Sequence, residues 1–340
     1  MCARQSSQRA LVVNCSKQFN LGASKISDWL RAEGWDVTTM QGDQGMFTLG
    51  YGLVCLSVIF SWDALVAREI ALRVKDSSEV WAGGPGLFAL KKWWLKETGI
   101  HSHAGLDQRF EHQRGNYLMT FASRGCPVNC WFCIVPRLEG PDFTLDWEFR
   151  PAPILCDNNL SALPDEFQDH IVARYQATET ELRDANSGFE PCTFTEETYQ
   201  RWKPILQGPW RFAYDDMAET HEVAAMMRIL RDEAPKRKRV YVLIGNEPVA
   251  ECYERAMKVI EQGGEPFCQP FIPLNSLNRM PRARFDWSVQ LLKDFARYFN
   301  RFLWRSLPLI DYKPRKQEGT PFASTTLQGT GSQAPENNVE

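Results

Sequence analysis

The chain of 340 residues has no long hydrophobic run: its longest apolar stretch, around Leu53–Phe60, falls far short of the roughly 20 residues that span a bilayer. A membrane-spanning protein is therefore not expected. No charge of one sign dominates either, with 39 Lys and Arg against 42 Asp and Glu and a net charge of −3. Such a balance offers no global basic field for nucleic acid or for an anionic membrane surface. The opening Met-Cys-Ala-Arg-Gln-Ser-Ser-Gln-Arg is polar and lacks the apolar core of a secretory signal. A soluble, cytoplasmic protein is the expectation, and there cysteines serve as thiols or metal ligands more than as disulfides. No internal repeat is visible.

What is present is a cluster of cysteines. Cys126, Cys130 and Cys133 stand in the run Ser-Arg-Gly-Cys-Pro-Val-Asn-Cys-Trp-Phe-Cys-Ile-Val-Pro, while Cys2, Cys15, Cys55, Cys156, Cys192, Cys252 and Cys268 are scattered singly and read as small buried hydrophobes. Three thiolates on one short loop can hold three irons of a [4Fe–4S] cluster and leave the fourth iron open to bind and reduce a substrate. A structural zinc site wants four protein ligands. No second C-x2-C follows, so zinc would have to recruit His112 or Cys156. Gly125 and Pro127 suit a loop that wraps a cluster.

Around the cysteines the chain alternates strands and helices. In residues 1–95, strands are expected at Ala10–Val13, Trp35–Thr39, Gly52–Phe60 and Glu79–Ala82, and helices at Ser24–Glu33 and Asp63–Val74. This is the order of a small doubly wound (Rossmann- or flavodoxin-like) α/β domain. Residues 96–115, with His101, His103 and His112, read as a connector. Over 116–312 the alternation restarts. Strands are expected at Tyr117–Phe121, Pro153–Cys156, Asp184–Asn186, Arg211–Tyr214, Arg239–Ile244 and Pro266–Pro270. Helices are expected at Asp165–Tyr175, from Thr195, and at Thr220–Glu233, Ala250–Gln262 and Phe285–Phe302. Six β/α units suggest a partial (β/α)6 TIM-like barrel with its chemistry at the carboxyl ends of the strands. The tail, 313–340, is polar and reads as disordered.

The C-x3-C-x2-C motif, with Phe132 before its last cysteine and a position after the first barrel strand, resembles that of the radical S-adenosylmethionine enzymes. The resemblance implies a [4Fe–4S] cluster on Cys126, Cys130 and Cys133 whose open iron binds S-adenosylmethionine. One electron, from a donor such as flavodoxin or ferredoxin, would then generate a 5′-deoxyadenosyl radical that abstracts hydrogen from the substrate. It further implies that Phe132 packs near adenine. Asn158 or Asn159, in Asp157-Asn158-Asn159, would stand where family members carry a Gly-Gly-Glu-like run that touches the amino group. Asp215, in Tyr214-Asp215-Asp216, would bind ribose hydroxyls, Asp216 or its neighbour otherwise capping the next helix. Gly245 and Glu247, in Val-Leu-Ile-Gly-Asn-Glu, would pass along the adenine, and Asn186-Ser187-Gly188-Phe189-Glu190 would line the mouth.

The first domain is similar to the cobalamin-binding-like domain that precedes many such barrels. A histidine-ligated cobalamin would need Asp-x-His-x-x-Gly after the first strand. The chain has Asn14-Cys15-Ser16-Lys17-Gln18 there, so a histidine-ligated cobalamin is disfavoured. Cobalamin held without a histidine, as in a cobalamin-dependent radical methylase, stays open beside a domain that has lost the cofactor, which is the favoured reading. The Cys-Ile-Val-Pro of the loop also resembles methylthiotransferases, whose second cluster would call on Cys15 and Cys55 with no third cysteine near Gly83-Gly84. Arg279, Arg282, Arg284, Arg297, Arg301 and Arg305, interleaved with Phe285, Trp287, Phe299 and Trp304, read as packing onto the barrel before they read as an anion or nucleic-acid surface. A non-catalytic zinc- or cluster-stabilised binding module is the alternative of another class.

Overall fold

The computed structural model describes residues 8–103, 105–314 and 321–322. The chain separates into two compact units. One comprises Met1–Asn158, Leu163–Asn186 and Pro273–Met280, the other Asn159–Ala162, Ser187–Ile272 and Pro281–Glu340.

The first unit begins with β1 (Arg9–Asn14), α1 (Leu21–Ala32), β2 (Asp36–Gln41), β3 (Leu53–Ser57), α2 (Ala64–Val74) and β4 (Glu79–Gly83). The strands form an all-parallel sheet in the order β2-β1-β3-β4. Its central strands are apolar on both faces because both faces are covered. Leu11, Val13, Cys15, Val54 and Leu56 pack with Ala67, Ile70 and Ala71 of α2. Ala10, Val12, Leu53 and Cys55 pack with Ala23 and Leu30 of α1. Helix α1 starts three residues before its expected position because Asn20 caps it, its side-chain oxygen accepting the Ala23 N–H at 3.1 Å. The third strand stops at Ser57, short of the expected Phe60, and the chain turns through a 3-10 segment at Ser61–Asp63.

Next come α3 (Pro85–Phe88), α4 (Lys91–Thr98) and α5 (Gln108–Glu111), then β5 (Met119–Thr120), β6 (Ser123–Arg124), α6 (Val135–Leu138), β7 (Thr144–Leu145), β8 (Ile154–Leu155), α7 (Asp165–Ala177) and β9 (Asp184–Ala185). Strands β5, β8 and β9 make a parallel sheet in that order, and β6 and β7 an antiparallel pair.

The second unit carries α8 (Glu196–Trp202), β10 (Trp210–Ala213), α9 (Thr220–Ile229), β11 (Lys238–Ile244), α10 (Val249–Glu261), β12 (Glu265–Pro270) and α11 (Val289–Asn300). Its sheet is parallel in the order β10-β11-β12. Val242 and Ile244 of β11 pack with Cys252 and Ala256 of α10 and with Leu292, Phe295 and Phe299 of α11. The expected Thr220–Glu233 helix ends at Ile229. The expected Phe285–Phe302 helix begins only at Val289: Phe285 has a left-handed φ of 51°, and Ser288 supplies the cap by accepting the Leu291 N–H at 3.0 Å. Of the aromatics among the late arginines, Trp287 and Phe299 are buried in this core while Phe285 is exposed.

The molecule is thus a mixed α/β protein with parallel sheets. The six parallel strands read from the sequence over 116–312 fall in two three-stranded sheets, one in each unit. Among the described residues no helix is long and apolar enough to cross a membrane. Of the 313–340 tail, residues 315–320 and 323–340 lie outside the described residues; Phe322 is fully buried against Phe295.

Candidate metal centre

The cysteine loop runs from the end of β6 to the start of α6. Gly125 opens it with φ 88°, and a Cβ there would sit 2.1 Å from the Asp142 carbonyl oxygen. Only glycine fits such a left-handed, closely packed position. Cys126 N–H donates to the Gly140 carbonyl at 3.3 Å, and Cys133 N–H to the Cys130 carbonyl at 3.0 Å. Cys126 is buried, whereas Cys130 and Cys133 are half-buried. Burial raises the Cys133 thiol above its ordinary range. The Val135 N–H points at Cys133 Sγ from 3.4 Å and acts in the opposite sense, favouring the thiolate. Phe132 is half-buried with its ring edge-on to Trp131, centroids 5.2 Å apart, and Trp131 is exposed.

A set of charged side chains grips the loop. Arg124 donates to Glu111 at 2.9 Å and to Glu139 at 3.2 Å, with its guanidinium 3.4 Å from the centre of the Phe121 ring. Glu139 in turn accepts from the Gly125 N–H at 3.0 Å and from the Asn158 amide at 2.7 Å. The same Asn158 amide donates to the Gly125 carbonyl at 3.1 Å. Lys25 reaches Glu111 at 3.5 Å. Burial pushes the Glu111 carboxyl up, but Arg124 and Lys25 outweigh it, leaving it below its ordinary value. One residue before Asn158, the fully buried Asp157 accepts from the Ala122 N–H at 2.7 Å and the Ser123 hydroxyl at 2.6 Å, tying β8 to the chain that leads into the loop. Burial raises its carboxyl to about 6.

Asn158 therefore braces the loop, and Asn159 makes a turn: its side-chain oxygen accepts the Ala162 N–H at 3.2 Å. Among the described residues, no three His, Cys, Asp or Glu side chains converge on one ion position. Mononuclear zinc would require such convergence; of the two residues it could recruit, His112 is exposed at the end of α5 and Cys156 is buried, with its thiol pushed up to about 12 by burial. A cubane cluster spreads its thiolates over separate irons and makes no such demand. The donor set, three thiols on one loop with an N–H aimed at one of them, fits that group.

In the second unit the strand ends gather carboxylates. Asp215 follows β10, and burial, then the neighbouring Glu219, raises it to about 7. Glu190 is raised to about 7 by the same two causes. Asp216 is the cap: its side chain and that of Glu219 form a reciprocal capping box. This frees the role of cap from Asp215. Glu247 pairs with Arg255, which has no exposed surface and also donates to the carbonyls of Tyr214 at 2.6 Å and Leu243 at 3.0 Å. Gly245 has φ 102°, and a Cβ there would lie 2.6 Å from the Arg282 carbonyl oxygen. The close approach that Gly245 permits is thus to its own chain.

No family model matches the chain, and no curated protein matches it. The residues must speak for themselves. Sequence reasoning named the three thiols and Asn158 but missed Arg124, Glu139, Glu111 and Asp157 as their supports. The only local signal was an arginine directly before Gly125-Cys126. Cys15 and Cys55, the thiols available for a second cluster, lie in the clusters on opposite faces of the β2-β1-β3-β4 sheet. Burial pushes each up to about 12. Thiols on opposite faces share no metal. The segment after β1 is occupied by its own polar network: Asn14 accepts from the Ser16 N–H at 3.0 Å and from Asn20 at 3.2 Å, and the Ser16 hydroxyl donates to Asp63 at 2.5 Å.

Proposed function

We propose that this chain is a radical S-adenosylmethionine enzyme, with Cys126, Cys130 and Cys133 as ligands of a [4Fe–4S] cluster and with the six parallel strands of residues 116–312 as its partial (β/α)6 barrel. When bound, the cluster supplies the electron that cleaves S-adenosylmethionine into methionine and a 5′-deoxyadenosyl radical, which takes a hydrogen atom from the substrate. The observation that carries the reading is the cysteine loop itself: three thiols within eight residues, held from both ends by Arg124, Glu139 and Asn158.

The protein's own residues supply position and charge. The brace presets the loop so that binding a cluster costs little reordering. The Val135 N–H withdraws charge from Cys133 Sγ, one of the means by which a protein sets a cluster's potential. Asp215 and Glu247, at the ends of β10 and β11, are the side chains assigned to the cosubstrate, with Asp215 accepting from a ribose diol. Phe132 is assigned to the adenine side and Asn158 to the loop. The electron donor is expected to be a small flavin or iron–sulfur protein.

Anaerobic reconstitution tests this. The wild-type chain should take up about four irons and four sulfides and, with dithionite, release 5′-deoxyadenosine. Each of Cys126→Ala, Cys130→Ala and Cys133→Ala should abolish that release. A chain that keeps its cluster but never cleaves the cosubstrate loses the enzymatic reading. One zinc and no iron after anaerobic purification would instead support the binding-module alternative.

A further inference from the structure

The first unit contains a cavity of about 420 Å³ at the carboxyl ends of β1, β3 and β4. Its size lies within the roughly 300–1,000 Å³ of small-molecule sites. Its place is the one where open parallel sheets bind ligands, the crevice at the switch in strand order, which in β2-β1-β3-β4 falls between β1 and β3. The wall is mainly apolar and rich in rings, with Trp81, Phe110 and Phe121 among its residues. The charged side chains of the wall are already neutralised by one another. Arg109 grips Asp107 through three side-chain hydrogen bonds of 3.0, 3.2 and 2.6 Å. Arg124 and Lys25 are taken by Glu111 and Glu139. A charged ligand would have to break these pairs, whereas a neutral one leaves them intact. Val135 and Ile134, the residues directly after Cys133, also line the cavity, and Val135 donates its N–H to Cys133 Sγ at 3.4 Å.

We propose that this cavity binds a flat, largely apolar, uncharged organic molecule, and that this molecule is the substrate of the radical chemistry; the second half rests on the function proposed above, the first does not. The occupant displaces water from apolar wall and meets aromatic faces, the combination that favours a planar ring system. Pressure on Val135 is transmitted to the thiol two residues away. A corrin, ringed by amides, asks for many polar partners, whereas the charged side chains of this wall are already paired with one another.

The test uses the full chain and the neutral dye N-phenyl-1-naphthylamine. Without any cluster, the dye should bind one per chain with a saturable rise in fluorescence. Leu106→Trp and, independently, Ile26→Trp, both in the cavity wall, should weaken binding at least tenfold with melting curves unchanged. Phe47→Ser, on the exposed turn of Met46 and Phe47, should leave it unaltered. Absence of saturation, or binding indifferent to both tryptophans and lost in Phe47→Ser, overturns the site. With the reconstituted cluster, the dye should shift the cluster's electron paramagnetic resonance signal in wild type and not in Leu106→Trp. Dye binding that leaves this signal unmoved overturns the substrate half alone, and release of 5′-deoxyadenosine still judges the enzyme reading separately. Stoichiometric cobalamin binding that expels the dye also overturns the proposal, giving the cavity to a corrin.

Discussion

The brace of the cysteine loop and the strand ends of the second unit handle buried charge in opposite ways. Around the cysteine loop, the carboxylates Glu111 and Glu139 are met by Arg124, Lys25, a backbone N–H and an amide. At the strand ends of the second unit, Glu190, Asp215, Glu219 and Glu247 are raised above their ordinary values, and Arg255 is the cation that draws Asp215, Glu219 and Glu247 down. The first arrangement is complete without a ligand and holds a loop still. The second crowds acids whose ionisation burial and their neighbours oppose, and a site for a cationic cosubstrate would relieve that opposition. Stability and binding are thus separated between two sets of acids that look alike in sequence.

Removing the cations probes this contrast most strongly. Arg255→Met strips the Tyr214 and Leu243 carbonyls of a donor and leaves Glu247 without its partner. Breaking a buried pair in this way costs about 3–5 kcal/mol, and a fall of that size in the urea-unfolding free energy is expected. Arg124→Met should cost less, about 1–2 kcal/mol, because its side chain keeps 15% of its surface exposed and Glu139 retains the Gly125 N–H and Asn158. Its clearer signature is a fall in iron content after reconstitution. If the two variants lose equal stability, or if Arg124→Met loads iron normally, the contrast fails.

How much of this was legible in sequence follows from the range of each interaction. The first sheet could be read because Leu53–Ser57 and Leu11–Val13 announce buried strands through composition alone. The cysteines could be read because ligand spacing is local. The brace could not: Glu139 and Asn158 are 19 residues apart, and Ala122 and Asp157 are 35 apart. A polar residue at a strand end gives no sign of whether it will hold a loop or meet a ligand. Asn158 shows this, since its amide is committed to Gly125 and Glu139. Gly245 shows it too, its missing Cβ making room for the Arg282 carbonyl. Strands β5 and β8 were expected longer than their two residues each, because an apolar run marks burial and does not mark where pairing stops.

The titration of Glu111 and that of the second unit's raised acids should run in opposite directions. Asp215 and Glu190 have folded values near 7, above ordinary values of 3.8 and 4.5. The folded chain therefore holds protons that the unfolded chain releases between these values, and stability falls as pH rises through that window. Glu111 lies below its ordinary 4.5, so its contribution is present above that value and is lost as pH falls through its lower folded one. The urea-unfolding free energy is expected to decline from pH 5 to pH 8 by on the order of 2 kcal/mol after allowance for solvent screening, with Asp157, raised to about 6, adding to the fall at the acid end. Asp215→Asn should flatten that decline. An unchanged slope in the variant would place the falling stability elsewhere and remove Asp215 from the contrast.

The smallest effect distinguishes a brace from a ligand contact. Asn158→Ala removes the 2.7 Å bond to Glu139 and the 3.1 Å bond to the Gly125 carbonyl. Each is worth about 1 kcal/mol, and Glu139 keeps Arg124 and the Gly125 N–H. A loss of about 1–2 kcal/mol is expected, together with slower cluster uptake. The KM for S-adenosylmethionine should stay within about twofold, since less than RT ln 2, about 0.4 kcal/mol, is then lost from cosubstrate binding. Were the amide to face the cosubstrate's amino group during turnover, KM would rise tenfold or more while stability hardly moved. The ratio of the two changes assigns Asn158 to the loop or to the cosubstrate, and with it decides whether the first unit's polar set is complete in itself.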